Sequence, residues 1–181
     1  MARHRPTGGR GPSAADPERI VAASLARHCP SVIVLHDRVP DPESQGIDHI
    51  AVAPSGVHVI DTRRRTGRIA VTRPLFGEAR LRIDGRDRTA VLERLRAQVQ
   101  AVADAVAEVD DAVPVQGALC FVNPTRRLVE GAPPLTRTLN VCGFPLLAPR
   151  ALARQLRRGG PLSEARMAAI AAVLERRFRP A

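Results

Sequence analysis

Residues 46–63 read Gly-Ile-Asp-His-Ile-Ala-Val-Ala-Pro-Ser-Gly-Val-His-Val-Ile-Asp-Thr-Arg, and no other stretch constrains the fold as tightly. Two apolar runs rich in β-branched residues flank Pro54-Ser55-Gly56. Turn residues between such runs specify a β-hairpin. Folded back, the hairpin brings Asp48 close to Asp61, with Arg63 on the strand side shared with Asp61. A loop with an even number of residues sets the two acids directly opposite; an odd loop sets them one position off. Directly opposed side chains lie roughly 4.5–5.5 Å apart and diagonal ones about 7–8 Å, so either register leaves the carboxylates close.

The rest of the composition limits what can surround this hairpin. At 181 residues the chain suits one domain with a real core. Phe, Trp and Tyr together make 2% of the chain, which excludes extensive base stacking as a mode of nucleic-acid binding. A net charge of +10 favours a polyanionic partner. All 28 basic residues are Arg, as a bias towards Arg codons in a GC-rich genome produces. Cys29, Cys120 and Cys142 are odd in number and widely spaced, with no CxxC pair to hold zinc and no disulfide framework. With no apolar signal core and no run of membrane-spanning length, the expected compartment is the cytoplasm, without membrane contact. Nothing in the pattern specifies an oligomeric state.

Along the chain, residues 1–14 read as a disordered basic tail and 15–181 as one domain. Asp16 and Pro17 open a helix with Ile20, Val21 and Leu25 on its apolar face, and Glu18 projects towards that same side. Residues 31–36 read as a buried strand and 37–45 as a polar loop before the hairpin. Further strands are expected at 68–72 and 79–83, split by a turn near Gly77. Val91, Leu92, Leu95, Val99, Val102, Val106 and Val109 recur at three- and four-residue steps, the mark of a long amphipathic helix. Val115–Val122 reads as a central strand, 123–134 as a loop and 139–147 as another strand. Pro149 opens a helix ended by Gly159-Gly160, and Ser163 caps a last helix packed through Met167, Ile170, Leu174 and Phe178. The order predicts an α/β domain with a mixed sheet flanked by helices.

Two carboxylates and a cation at the end of a buried hairpin suit metal-dependent phosphodiester cleavage. Mg²⁺ takes one or two carboxylates and completes its shell with water and substrate phosphate. It could supply the attacking hydroxide and offset transition-state charge. The residues also match a family pattern: a Glu on the first helix, an I-D-H hairpin, G-V-x-V-I-[DE]-x-K, a Gly, and a later helix carrying Gln. Here these are Glu18, Ile47-Asp48-His49, Gly56 to Arg63, Gly67 and Gln98. In this the chain resembles the nuclease-related domain (NERD) family, whose members have restriction-endonuclease-like folds of PD-(D/E)xK type. The resemblance spans nearly everything after the tail. It implies DNA as partner and Mg²⁺ (or Mn²⁺) as cofactor, with Asp48 and Asp61 as metal ligands and Glu18 assisting. It also implies that Gln98 orients substrate or water. Asp61 stands where Glu is common, and Arg63 where the pattern has Lys. Arg cannot deprotonate, so Arg63 can stabilise phosphate charge but cannot transfer a proton.

Plainer readings stand beside these. Asp48 and Asp61 could be strand ends solvated at a sheet rim, and Glu18 an acid favouring its helix dipole. Gln98 could be a polar helix flank. His49 and His58 lack a third ligand at metal spacing and read as structural. Arg64 and Arg65 could contact phosphate beside Arg63, or form a solvated edge that discourages strand pairing. Arg154, Arg157 and Arg158 offset a helix dipole without any ligand. Three functions follow: a Mg-dependent deoxyribonuclease, a catalytically degenerate nucleic-acid-binding module, and a protein-interaction domain whose basicity reflects its genome.

Overall fold

The computed structural model describes residues 16–40, 45–64, 68–72, 77–122 and 139–181. The hairpin forms the middle of the main sheet: β2 (Ile47–Ala53) and β3 (Gly56–Arg64) pair antiparallel from Ala53↔Gly56 to His49↔Ile60. The loop is thus two residues, Pro54 and Ser55. Gly56 follows it at φ 127°, a backbone conformation that favours glycine.

Both faces of this hairpin are apolar, and helices cover both. The chain begins with α1 (Pro17–His28), capped by Asp16, whose side chain accepts from the Glu18 N–H at 3.2 Å. Next comes β1 (Ile33–Val39), antiparallel to β2 with Leu35 opposite Ile50. After the hairpin, β4 (Ile69–Thr72), β5 (Arg80–Ile83) and β6 (Arg86–Asp87) make a separate three-stranded antiparallel sheet. Then α2 (Ala90–Ala107) leads to β7 (Val115–Val122), which runs parallel to β3. The remaining elements are β8 (Leu139–Val141), β9 (Phe144–Leu147), α3 (Pro149–Leu156), α4 (Glu164–Arg177) and β10 (Arg179–Pro180). The main sheet has the order β10-β1-β2-β3-β7-β9-β8.

Two cores result. On one face Ile50, Val52, Val57, Val59 and Leu119 meet Leu95 and Val102 of α2 and Ile170 and Leu174 of α4. On the other, the smaller Ala51, Ala53, Ala118 and Cys120 meet Val21 and Leu25 of α1 and Leu152 and Leu156 of α3. Burial on both sides explains why β2, β3 and β7 are apolar at consecutive rather than alternate positions. Each fully buried Leu, Ile or Val contributes about 1.5–3 kcal/mol.

The architecture is the expected α/β mixed sheet flanked by helices, with differences in detail. The stretch 139–147 is two strands, because Cys142 (φ 50°) and Gly143 (φ 86°) turn the chain between them. β1 starts two residues later than expected and runs on through Asp37 to Val39. Helix α2 stops at Ala107, leaving Val109 exposed. Phe178 is the extended residue after α4, from which the chain enters β10. The tail 1–14, the 123–134 loop, Arg65 and Gly67 lie outside the described residues.

Candidate active site

The two-residue turn decides the parity. Continuing the β2–β3 register one step past His49↔Ile60 sets Asp48 level with Asp61. Asp61 is 4% exposed and Asp48 half-buried. The Thr62 N–H donates to Asp48 Oδ2 at 2.5 Å, so the Asp48 side chain takes a backbone donor at the end of the ladder.

Two guanidinium groups converge on Asp61. Arg63 approaches it with Nε 2.5 Å from Oδ1 and donates through Nη2 to Oδ2 at 2.7 Å. Arg94, from the first half of α2, donates through Nη2 to the same Oδ2 at 2.7 Å and through Nη1 to Gln45 Oε1 at 3.0 Å. Arg94 was not singled out in the sequence. Its one available signal is its place on α2, a helical turn before Gln98 on the same helix face. Gln98 itself is 9% exposed and donates to the Gly46 carbonyl at 2.8 Å, holding the entry to β2 against α2.

Burial sets the protonation of the acids. It pushes Asp48 up to about 7; the Thr62 N–H opposes the shift, while the charges of Asp61 and Glu18 add to it. Asp61 is also raised by burial, against the opposing pull of Arg63. Glu18 is raised first by burial and then by Asp16, Asp37 and Asp61, with Arg63 opposing. Glu18 therefore shares the electrostatic field of the two aspartates from α1, although no hydrogen bond joins it to them among the described residues. Arg64 is exposed at the end of β3. Beside Arg63 a cavity of about 200 Å³ opens between Arg63, Arg64, Arg88, Leu81 and Phe121.

The two hairpin histidines are buried and held neutral. His49 contacts His36 Nδ1 to Nδ1 at 2.8 Å, and burial pushes it down to about 3. His58 contacts the Ser55 hydroxyl at 3.2 Å, and burial pushes it down to about 4.

Among the described residues no group of three or more His, Cys, Asp or Glu is placed to hold a metal ion. Mg²⁺ needs fewer: one or two carboxylates suffice when water and phosphate complete the shell. Asp48 and Asp61 are hard oxygen donors of this kind, and burial disfavours their charge when no cation is there to offset it. On donor chemistry alone the pair fits such an ion, in competition with Arg63 and Arg94 for Asp61.

Residues 13–122 match the family described as the nuclease-related domain. The chain belongs to the nuclease-related domain family. Its mixed sheet with helices on both faces is the restriction-endonuclease-like fold of the PD-(D/E)xK class. The match covers α1, the hairpin and α2, hence Glu18, Asp48, Asp61, Arg63, Arg94 and Gln98. No curated protein and no solved structure matches the chain. Among the described residues no helix is long and apolar enough to cross a membrane.

Proposed function

We propose that this nuclease-related domain, spanning 15–181, binds DNA and hydrolyses its phosphodiester bonds with Mg²⁺ or Mn²⁺, as a cytoplasmic enzyme. The observation that carries the reading is the level placement of Asp48 and Asp61 at the open end of the hairpin, with a guanidinium beside them. A bound divalent ion supplies Lewis-acid stabilisation and an activated water. Asp48 and Asp61 hold it, and Glu18 reinforces the negative field from α1. Arg63 turns from Asp61 to a phosphate oxygen, where its planar fork suits bidentate contact. Arg64 and Arg65 extend that contact along the backbone. Gln98 fixes the start of β2, and with it the position of Asp48, and its role is to orient substrate or water.

Purified protein with Mg²⁺ or Mn²⁺ and labelled single- and double-stranded DNA tests the reading. Metal-dependent cleavage abolished by Asp61→Asn supports it; no cleavage in either metal, or cleavage indifferent to that change, removes it.

A second reading has an observation of its own. Both oxygens of Asp61 are engaged by arginines, the arrangement a degenerate site would settle into after losing its Lys. On that reading the protein binds nucleic acid without metal dependence, and Arg63→Lys restores no nicking. In a chain without any Lys, however, Arg63 is also what a site under general Arg bias would carry.

A further inference from the structure

A second basic feature lies at the same end of the sheet, on the far side of β1. A cleft of about 720 Å³ is lined by Val39, Pro40, Arg176, Arg177, Arg179 and Pro180. Ala181 also lines it, and no Asp or Glu is among its described lining residues. Arg177 pairs with Glu108 at 2.5 Å, whereas Arg176 and Arg179 pair with no carboxylate among the described residues. Both are exposed.

Strand register fixes where this cleft stands relative to the carboxylates. Arg179 is opposite Val39, and Arg38 is opposite Ile47, so the next step places Val39 level with Gly46. The hairpin register, continued, places Gly46 level with Arg63, and Arg63 is opposite Phe121 on β7. Arg179 and Arg63 therefore occupy one row across the sheet, three strand spacings apart. At about 4.8 Å per spacing the separation is about 14 Å. Each strand of a duplex carries a phosphate per about 3.4 Å of axis, so a separation of this size lies within a few consecutive phosphates of one strand.

We infer that the Arg176–Arg179 cleft is a second phosphate-binding site, which holds the DNA backbone a few nucleotides from the phosphate at Arg63. The inference rests on reading the carboxylate end as a DNA site. The apolar floor of Val39, Pro40 and Pro180 suits the sugar face of a backbone, and the guanidinium groups suit its phosphates. Arg179 and Arg63, at the two ends of one row, give the substrate a direction across the strand ends, so the cleft sets register and the carboxylates set the point of cleavage.

The test is fluorescence anisotropy with a labelled duplex of about 16 base pairs in EDTA at about 0.1 M NaCl, where cleavage does not intervene. Arg176→Gln and Arg179→Gln should each weaken binding about five- to tenfold, and each should reduce the slope of log K against log salt by about 0.9. Arg27→Gln, at the far end of α1, removes equal charge and should leave the slope within error of wild type. A double variant that binds like Arg27→Gln overturns the inference, as does a cleft occupied by an acidic peptide while duplex affinity stays unchanged. Cleavage is scored separately. Loss of the salt slope with no metal-dependent cleavage leaves the cleft standing and removes the nuclease reading; cleavage without any effect of the double variant does the reverse.

Discussion

At its tip the β2–β3 hairpin is held by backbone against backbone, while at its open end the same two strands carry buried charge. The tip accepts no added atom. A Cβ on Gly56 would meet the Pro114 carbonyl oxygen at 2.5 Å, and one on Gly160 would run into the Pro54 carbonyl. Val57 N–H donates to that Pro114 oxygen at 2.9 Å, and Leu162 N–H to the Pro54 oxygen at 3.1 Å. The open end has carboxylates raised by burial and arginines drawn onto one of them. Close packing sits at one end and buried charge at the other, about 20 Å along seven-residue β2. A close-packed tip fixes register, and fixed register is what keeps Asp48 level with Asp61.

The largest effect should come from the charged end. Asp61→Asn is expected to cut metal-dependent cleavage by on the order of 10²–10³-fold, the scale for losing one group that stabilises developing charge. Duplex binding in EDTA should hold or tighten, because Arg63 and Arg94 are released to the phosphate. Equal loss of binding and cleavage would mean that Asp61 is only structural.

Gly56→Ala should do the opposite. Backbone strain and overpacking together predict a loss of about 2–5 kcal/mol in a urea titration. Cleavage per folded molecule should be unchanged. An unfolding midpoint equal to wild type would deny that the tip is clamped.

The two ends also differ in the sign of their pH dependence. Asp48 lies near 7 in the folded protein against an ordinary value of 3.8. Its stabilising contribution is complete below about pH 4 and is lost as pH rises towards 7. His58, pushed down to about 4, works in reverse: stability falls as pH drops below 6.5, because the unfolded chain binds the proton the folded chain refuses. Thermal melts without metal should therefore show Asp48→Asn more stable than wild type at pH 8, by on the order of 2–4 kcal/mol, with the gap closing near pH 4. Mg²⁺ should raise the wild type and leave this variant unmoved. A constant gap across the range would remove buried ionisation as its cause.

The smallest effect is expected at Gln98, whose amide holds the Gly46 carbonyl. Gln98→Ala should cost about 1–2 kcal/mol for the lost bond and the unpaired carbonyl. It should also lower cleavage through a displaced Asp48. Unchanged stability with lost cleavage would instead place the amide on substrate or water.

Much of this was legible in the sequence because local rules and tertiary demands agree there. Pro54-Ser55-Gly56 announces the turn, and the apolar runs beside it announce burial, so the closeness of Asp48 and Asp61 follows in either register; the two-residue loop that sets them level is seen only in the structure. The spacing of Leu92, Leu95, Val102 and Val106 likewise announces α2. What was illegible depends on partners distant in sequence. Arg94 has no pattern that singles it out from the other arginines; only the packing of α2 on β3 brings it to Asp61. β10 is two residues long and becomes a strand only because β1 offers it an edge. The β8–β9 turn rests on a left-handed Cys142, which residue preference argues against.

The tie between Leu162 and Pro54 bears on how this domain is to be cut. The match to the family ends at Val122, yet α3 and α4, which cover the two faces of the hairpin, come after it. A fragment stopped at Val122 would lose α3 from Ile60 and Ala118 on one side and α4 from Val59 and Leu119 on the other, and of the tip's two ties would keep Pro114 and lose Leu162. Such a fragment would hold every named residue of the carboxylate site and still be a chain looking for something to cover it. The family match stops at β7; the two cores that hold the hairpin run on through α3 and α4.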